Sequence, residues 1–137
     1  MKKLIIIIFL ISNLTGCNSN EITAKYATYE EALEEDYFAK GWIPFELLNP
    51  DMKHIYVRNN LDLNSYLFCF NTDNVPDLFN TSIIQINEVK IHGIRVPNCW
   101  NKEVIGKPKV SIKFTHREIV HLIYDKENKK LYGWAEY

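Results

Sequence analysis

Three cysteines, four histidines and 17 carboxylates are the side chains through which this 137-residue chain could carry chemistry. The fullest nominal cluster is His92, His116 and His121 with Cys69 or Cys99, which by residue type could hold zinc. Zinc sites announce themselves by short Cys-x-x-Cys or His-x-x-x-His spacings, and none is present here. A Cys99–His pair could act as nucleophile and base, but it needs contact and a thiolate-favouring setting that the sequence does not supply. Asp62, Asn64 and Asp73 offer oxygen ligands, yet the calcium loop with its glycine and closing glutamate is missing. Asp62 and Asn64 read instead as turn residues. The run Glu30, Glu31, Glu34, Glu35 and Asp36 reads as the solvated face of a helix. Trp42, Trp100 and Trp134 could line a ligand groove or simply fill core and rim. No catalytic residue, metal or cofactor is assigned.

Cys17 has a different chemistry. It closes Leu14-Thr15-Gly16-Cys17, which resembles a bacterial lipobox: an apolar residue, two small ones, then a cysteine that is lipidated and becomes the new N-terminus. Lys2 and Lys3 precede an unbroken apolar run over residues 4–11, and Ser12 and Asn13 interrupt it. A spanning helix needs about 20 apolar residues, so the run is a signal peptide rather than a span. The resemblance implies a diacylglyceryl thioether on Cys17 and a further acyl chain on its amine. One acyl chain binds a bilayer only marginally, whereas two or three make the anchor effectively permanent. Asn18 stands where aspartate signals inner-membrane retention, so in a Gram-negative host the resemblance implies the outer membrane.

Removing residues 1–16 of 137 leaves 121, enough for one domain with a modest core. Loss of Lys2 and Lys3 brings the 16 basic residues to 14 against 17 acidic ones, a formal charge of −3. That balance argues against nucleic-acid binding, which needs a clustered basic surface. Aromatic residues make up 13% of the chain, eight of them tyrosine, which suits a β-rich domain. Cys69 and Cys99 are then an even pair in an exported protein, and a bridge is expected between them. It would close a loop of about 30 residues, for roughly 3–4 kcal/mol by the chain-entropy argument. Spacing alone leaves two free thiols as the alternative.

The elements that must position these residues follow in order. Residues 17–27 are polar and read as the lipidated N-terminus and a short tether. Thr28-Tyr29-Glu30-Glu31 fits a capping box, opening a helix that ends near Lys40 with Gly41 as its C′ residue. Tyr29, Leu33 and Tyr37, with Ala32 beside them, give that helix one face to bury. Residues 42–48 contain Trp42, Ile43, Phe45, Leu47 and Leu48, too apolar for a free loop, and are placed over the core. Residues 54–58 and 66–70 alternate as a hairpin-like pair, with Tyr66, Phe68 and Phe70 on one face and Leu67 and Cys69 on the other. Residues 75–79 suggest a helical turn; 82–86 and 90–96 suggest strands. Residues 109–115, 118–125 and 130–137 read as a three-stranded meander.

The order Gly41-Trp42-Ile43-Pro44, then Leu47-Leu48, Ile55, Asp62-x-Asn64 and Phe68-x-Phe70 resembles small bacterial lipoproteins of the YbbD-like kind. The likeness covers residues 25–71, and more weakly the C-terminal strands. One departure is the second proline, which falls later, at Pro50. The resemblance supports a fold and a location and carries over no catalytic residue.

The sequence therefore predicts an α+β domain over residues 28–137: one N-terminal helix packed on an antiparallel sheet of about five strands, ending in a C-terminal β-meander. The expected role is a non-enzymatic envelope lipoprotein, anchored through Cys17, that binds an envelope protein or meets an incoming toxin as an immunity-type protein. A small-ligand binder with an aromatic groove is the alternative, and a hydrolase is disfavoured for want of a nucleophile–base motif.

Overall fold

Alternating apolar and polar residues set the architecture. In residues 53–60, Ile55, Val57 and Asn59 are buried while the residues between them are exposed or half-buried, the two-residue period of a strand. The computed structural model describes residues 20–74, 96–100, 110–113 and 119–136. Six strands are found there: β1 (Glu21–Thr28), β2 (Lys53–Asn60), β3 (Ser65–Asn71), β4 (Val110–Lys113), β5 (Ile119–Asp125) and β6 (Lys130–Glu136). They form one antiparallel sheet in the order β1-β2-β3-β6-β5-β4. Two three-stranded meanders thus meet along β3 and β6, from Tyr66 opposite Ala135 to Asn71 opposite Lys130. The expected signal and lipobox residues, the helical turn over 75–79 and the strands over 82–86 and 90–96 lie outside the described residues.

The helix-on-sheet expectation is overturned: the fold is mainly β. The one α-helix among the described residues, α1, spans only Tyr29–Glu34. Six residues rise about 9 Å, against about 25 Å for an eight-residue strand, so α1 cannot form a layer. Its start follows the expectation, since Thr28 Oγ1 accepts the Glu31 N–H at 3.3 Å. Glu31 reaches back one residue further than expected, accepting from Ala27 N at 2.7 Å. Its end does not follow. The chain closes a Schellman motif at Asp36, where Asp36 N donates to Leu33 O (3.0 Å) and Tyr37 N to Ala32 O (2.9 Å). Asp36 takes the left-handed φ of 52° that glycine normally supplies there. The turn brings Tyr37 down to 5% exposure, its ring 5.0 Å from that of Tyr26 on β1. Gly41, expected to end the helix, ends the following 3-10 turn, Phe38–Lys40, at φ 74°.

Most of the segment expected to be a tether is also structured. From Glu21 it pairs with β2 as an edge strand, Lys25 opposite Tyr56 and Ala24 opposite Val57. Its polar composition suits an edge, where one face meets solvent.

One face of the sheet carries the main core. Tyr66, Phe68 and Phe70 stack along β3 with ring centroids 6.2 and 6.0 Å apart. The segment over 29–52 covers them, burying Ala32, Ile43, Leu47 and Met52. Trp42 meets Tyr66 edge-on at 6.0 Å, and its Nε1 donates to the buried Asn59 amide oxygen at 3.2 Å. The amide nitrogen of Asn59 in turn donates to Ile22 O at 2.8 Å, tying the cover to β1. Phe45 departs from the expectation and stands 83% exposed. Gly133 lies opposite Phe68, and a Cβ there would overlap the Phe68 ring.

The two four-residue hairpin turns among the described residues use one device. Asn60 Oδ1 accepts from Asp62 N and Leu63 N, and Asn64 adopts φ 48°. Asp125 Oδ1 accepts from Glu127 N and Asn128 N, and Lys129 adopts φ 49°. An Asx side chain opens each four-residue turn and a left-handed residue closes it.

Candidate functional site

The opposite face of the sheet is where polar and aromatic side chains gather. Register places Thr23, Arg58, Leu67, Trp134 and His121 in one cross-sheet row. The next row is Lys25, Tyr56, Cys69, Tyr132 and Ile123. At its centre Cys69 and Cys99 hold their sulfurs at bonding distance, with Cα atoms 6.7 Å apart. That separation lies inside the range a disulfide accepts.

The bridge lays Trp100 onto this face. Its ring meets Tyr132 and Trp134 edge-on, each at 5.6 Å, and is 5% exposed. Trp100 Nε1 is buried without a hydrogen-bond partner among the described residues. An unsatisfied buried donor costs about 1–3 kcal/mol, so ring packing and the covalent link must offset it. His121 stacks on the outer side of Trp134 at 4.9 Å.

Beside the bridge opens a groove of about 480 Å³. Its lining comes from four separate stretches: Lys25, Tyr26 and Ala27; His54, Ile55 and Tyr56; Asn98 and Cys99; and Lys130. The Lys25 ammonium lies 5.5 Å from the centre of the Tyr56 ring, and Arg58 covers the same ring at 5.8 Å. The Lys130 ammonium lies 5.6 Å from the Tyr132 ring. Burial holds the Lys130 ammonium below the ordinary lysine pKa. Burial and the nearby Asp125 charge push the Tyr132 hydroxyl up. No carboxylate among the described residues pairs with Lys25 or Lys130. The β2 bulge between Lys53 and Tyr56 leaves His54 at φ 51°, beside the groove. The arrangement can hold negative charge over an aromatic floor. It offers no thiolate, because its sulfur is bridged.

The sequence candidates scatter. Cys17, His92 and His116 lie outside the described residues, and with them most of the nominal zinc set. Among the described residues no group of three His, Cys, Asp or Glu side chains is placed to hold a metal ion. The tryptophans divide: Trp42 packs in the main core, Trp100 and Trp134 on the disulfide side. Asp73 pairs with Lys129, which keeps its carboxyl below the usual range.

Two features were missed. Asp51 is a structural hub: it accepts from Thr72 Oγ1 (2.7 Å), Asp73 N (2.8 Å), and Asn74 N and Nδ2 (3.2 and 3.1 Å). The Asn-Pro-Asp triplet before β2 was its one sequence signal, a turn with a spare carboxylate. The groove cations were missed because Lys25 lay in the presumed tether.

Residues 20–71 match the family model described as the YbbD head domain. The match covers α1, its cover segment and strands β1 to β3, and supports a YbbD-like kinship for that part. No curated protein and no solved structure matches the chain.

Proposed function

We propose that this chain is a lipid-anchored, non-enzymatic binding domain of the cell envelope that presents its disulfide side to an acidic partner protein. The observation that carries the reading is the groove beside Cys99, where Lys25 and Lys130 each lie over a tyrosine ring. An ammonium already settled on a ring has less freedom to lose when a carboxylate arrives, which favours binding. The lining groups can fix charge, which supports a binding role.

The anchor reading rests on Leu14-Thr15-Gly16-Cys17 behind its short apolar run. It places the domain on a membrane, the outer one in a Gram-negative host. An envelope component or an incoming toxin, met by an immunity-type protein, fits such a position. The groove volume favours a second reading, a small anionic ligand, because about 300–1,000 Å³ is the usual size of such sites.

The test is a crosslinked pull-down from the protein's own envelope, run beside Cys17→Ala and a Lys25→Glu, Lys130→Glu double variant. A stoichiometric partner lost from both variants supports the anchored binding domain. A partner retained by the lysine variant moves binding off the groove. No partner, with lipid on Cys17 verified by intact mass, counts against protein binding and leaves the small anion.

A further inference from the structure

The two hairpin turns lie at opposite ends of the sheet and share one geometry, yet their chemistry differs. Asn71 pairs with Lys130 at the end near turn 126–129, and Tyr66 with Ala135 at the end near turn 61–64. The far turn reads Lys126-Glu127-Asn128-Lys129, and all four residues are exposed and polar. The near turn reads Leu61-Asp62-Leu63-Asn64, with Leu61 51% and Leu63 48% exposed. The shared device needs an Asx residue before the turn and a left-handed residue at its close, and it makes no demand for leucine. Ile22, at the start of the neighbouring edge strand, is 51% exposed at the same end.

The chain leading to Cys17 leaves from that end. Leu61 N donates to Asn20 O at 3.2 Å, and the Asn20 amide donates to the Asp62 carboxylate. Asn20 is therefore pinned to the leucine turn. Two residues, Asn18 and Ser19, separate it from Cys17, and the three Cα-to-Cα steps reach at most about 11 Å. The carboxylate of Asp62, the one charge in the turn, is engaged by Asn20.

We infer that Leu61, Leu63 and Ile22 dock into the interfacial layer of the bilayer that holds Cys17. The inference rests on the lipid-anchor reading of Cys17. A lipidated N-terminus sits at the headgroup boundary, and a tether this short holds the turn within that layer. Apolar side chains there exchange water for acyl chains and give the domain a second contact beside the lipid. The groove's lining residues start at Lys25 opposite Tyr56, four pairing positions up the sheet from Glu21 opposite Asn60, so docking leaves its mouth open to the aqueous side.

The test uses the full-length protein, purified with its lipid and reconstituted into phosphatidylethanolamine–phosphatidylglycerol vesicles. Intact mass is measured first. An environment-sensitive dye is placed at Leu63→Cys and, on the far turn, at Glu127→Cys, with spin-labelled lipid as quencher. Near-UV circular dichroism checks that each variant is folded. The expected result is quenching at position 63 several-fold above that at 127. In an Ile22→Cys reporter, adding Leu61→Ser and Leu63→Ser should lower quenching several-fold. Equal, solvent-like signals at 63 and 127 in a protein with lipidated mass overturn the docking and leave the anchor standing. A blue-shifted but unquenched dye at 63 means that protein covers the turn, which also overturns it. A mass without lipid removes the anchor and the docking together.

Discussion

Reduction of the Cys69–Cys99 bridge should destabilise the domain by a calculable amount. The bridge spans 30 residues of sequence. In the chain-entropy argument a loop of that length removes about 12 cal/mol/K from the unfolded chain, or about 3.6 kcal/mol at 25 °C. A urea slope of about 1.5 kcal/mol per molar, within the usual range for small domains, converts this to a midpoint lower by about 2.4 M. Reducing the native protein is a cleaner perturbation than mutating Cys69, which is fully buried and would leave a cavity. The assay is equilibrium urea unfolding of oxidised and reduced protein, followed by tryptophan fluorescence. Near-UV circular dichroism should change as well, because the reduced chain no longer holds Trp100 edge-on to Tyr132 and Trp134. A midpoint change below about 0.7 M, equivalent to about 1 kcal/mol on that slope, would refute the reasoning. Two titratable thiols in the unfolded, unreduced chain would refute the bridge itself.

Gly133→Ala should destabilise by about 1–3 kcal/mol, because the new methyl meets the Phe68 ring. The loss should shrink in a Phe68→Leu background, as unfolding of the four proteins in a double-mutant cycle will measure. Asp51→Ala should lower stability by about 2–3 kcal/mol by stripping the carboxylate from the backbone and side chains of residues 72–74. Asp51→Asn, which keeps one acceptor oxygen, should lose less in the same denaturation assay. Alkaline pH should destabilise the fold through Tyr37. Burial raises its hydroxyl pKa, so above about pH 10 the unfolded chain releases a proton that the folded one keeps. Stability then falls by up to about 1.4 kcal/mol per pH unit from this group and is unaffected by it below pH 9. Tyr37→Phe should flatten the slope of unfolding free energy against pH by about one proton; an unchanged slope contradicts the assignment.

Strands β3, β5 and β6, buried more fully than β2, were legible as short apolar and aromatic runs bounded by turn residues. Alternation made β2 legible, because buried residues there alternate with half-buried ones. The same rule applied to residues 21–28 would have found β1, where Ile22, Ala24 and Tyr26 alternate with Thr23 and Lys25. Its polar edge character resembled a linker instead. The length of α1 was not legible. Tyr29, Leu33 and Tyr37 keep helical spacing through residue 37, and the left-handed turn at Asp36 follows from where Tyr37 must be buried. Asp51 engages residues 72–74 across more than twenty positions, and no local pattern encodes such a contact. The groove draws on four distant stretches for the same reason, and that Cys69 and Cys99 face each other lay beyond what spacing alone can reveal.

The seam between β3 and β6 has a consequence for how the chain is put together. Residues 20–71, the span that matches the YbbD head model, end with β3. Severed there, the head would present the whole hydrogen-bonding border of β3, lined on one side by Tyr66, Phe68 and Phe70. An open border of that length recruits other strands indiscriminately. The head is thus half of a plug-and-socket joint. In this chain the strand that fits the socket is β6, whose Gly133 leaves the space that Phe68 fills.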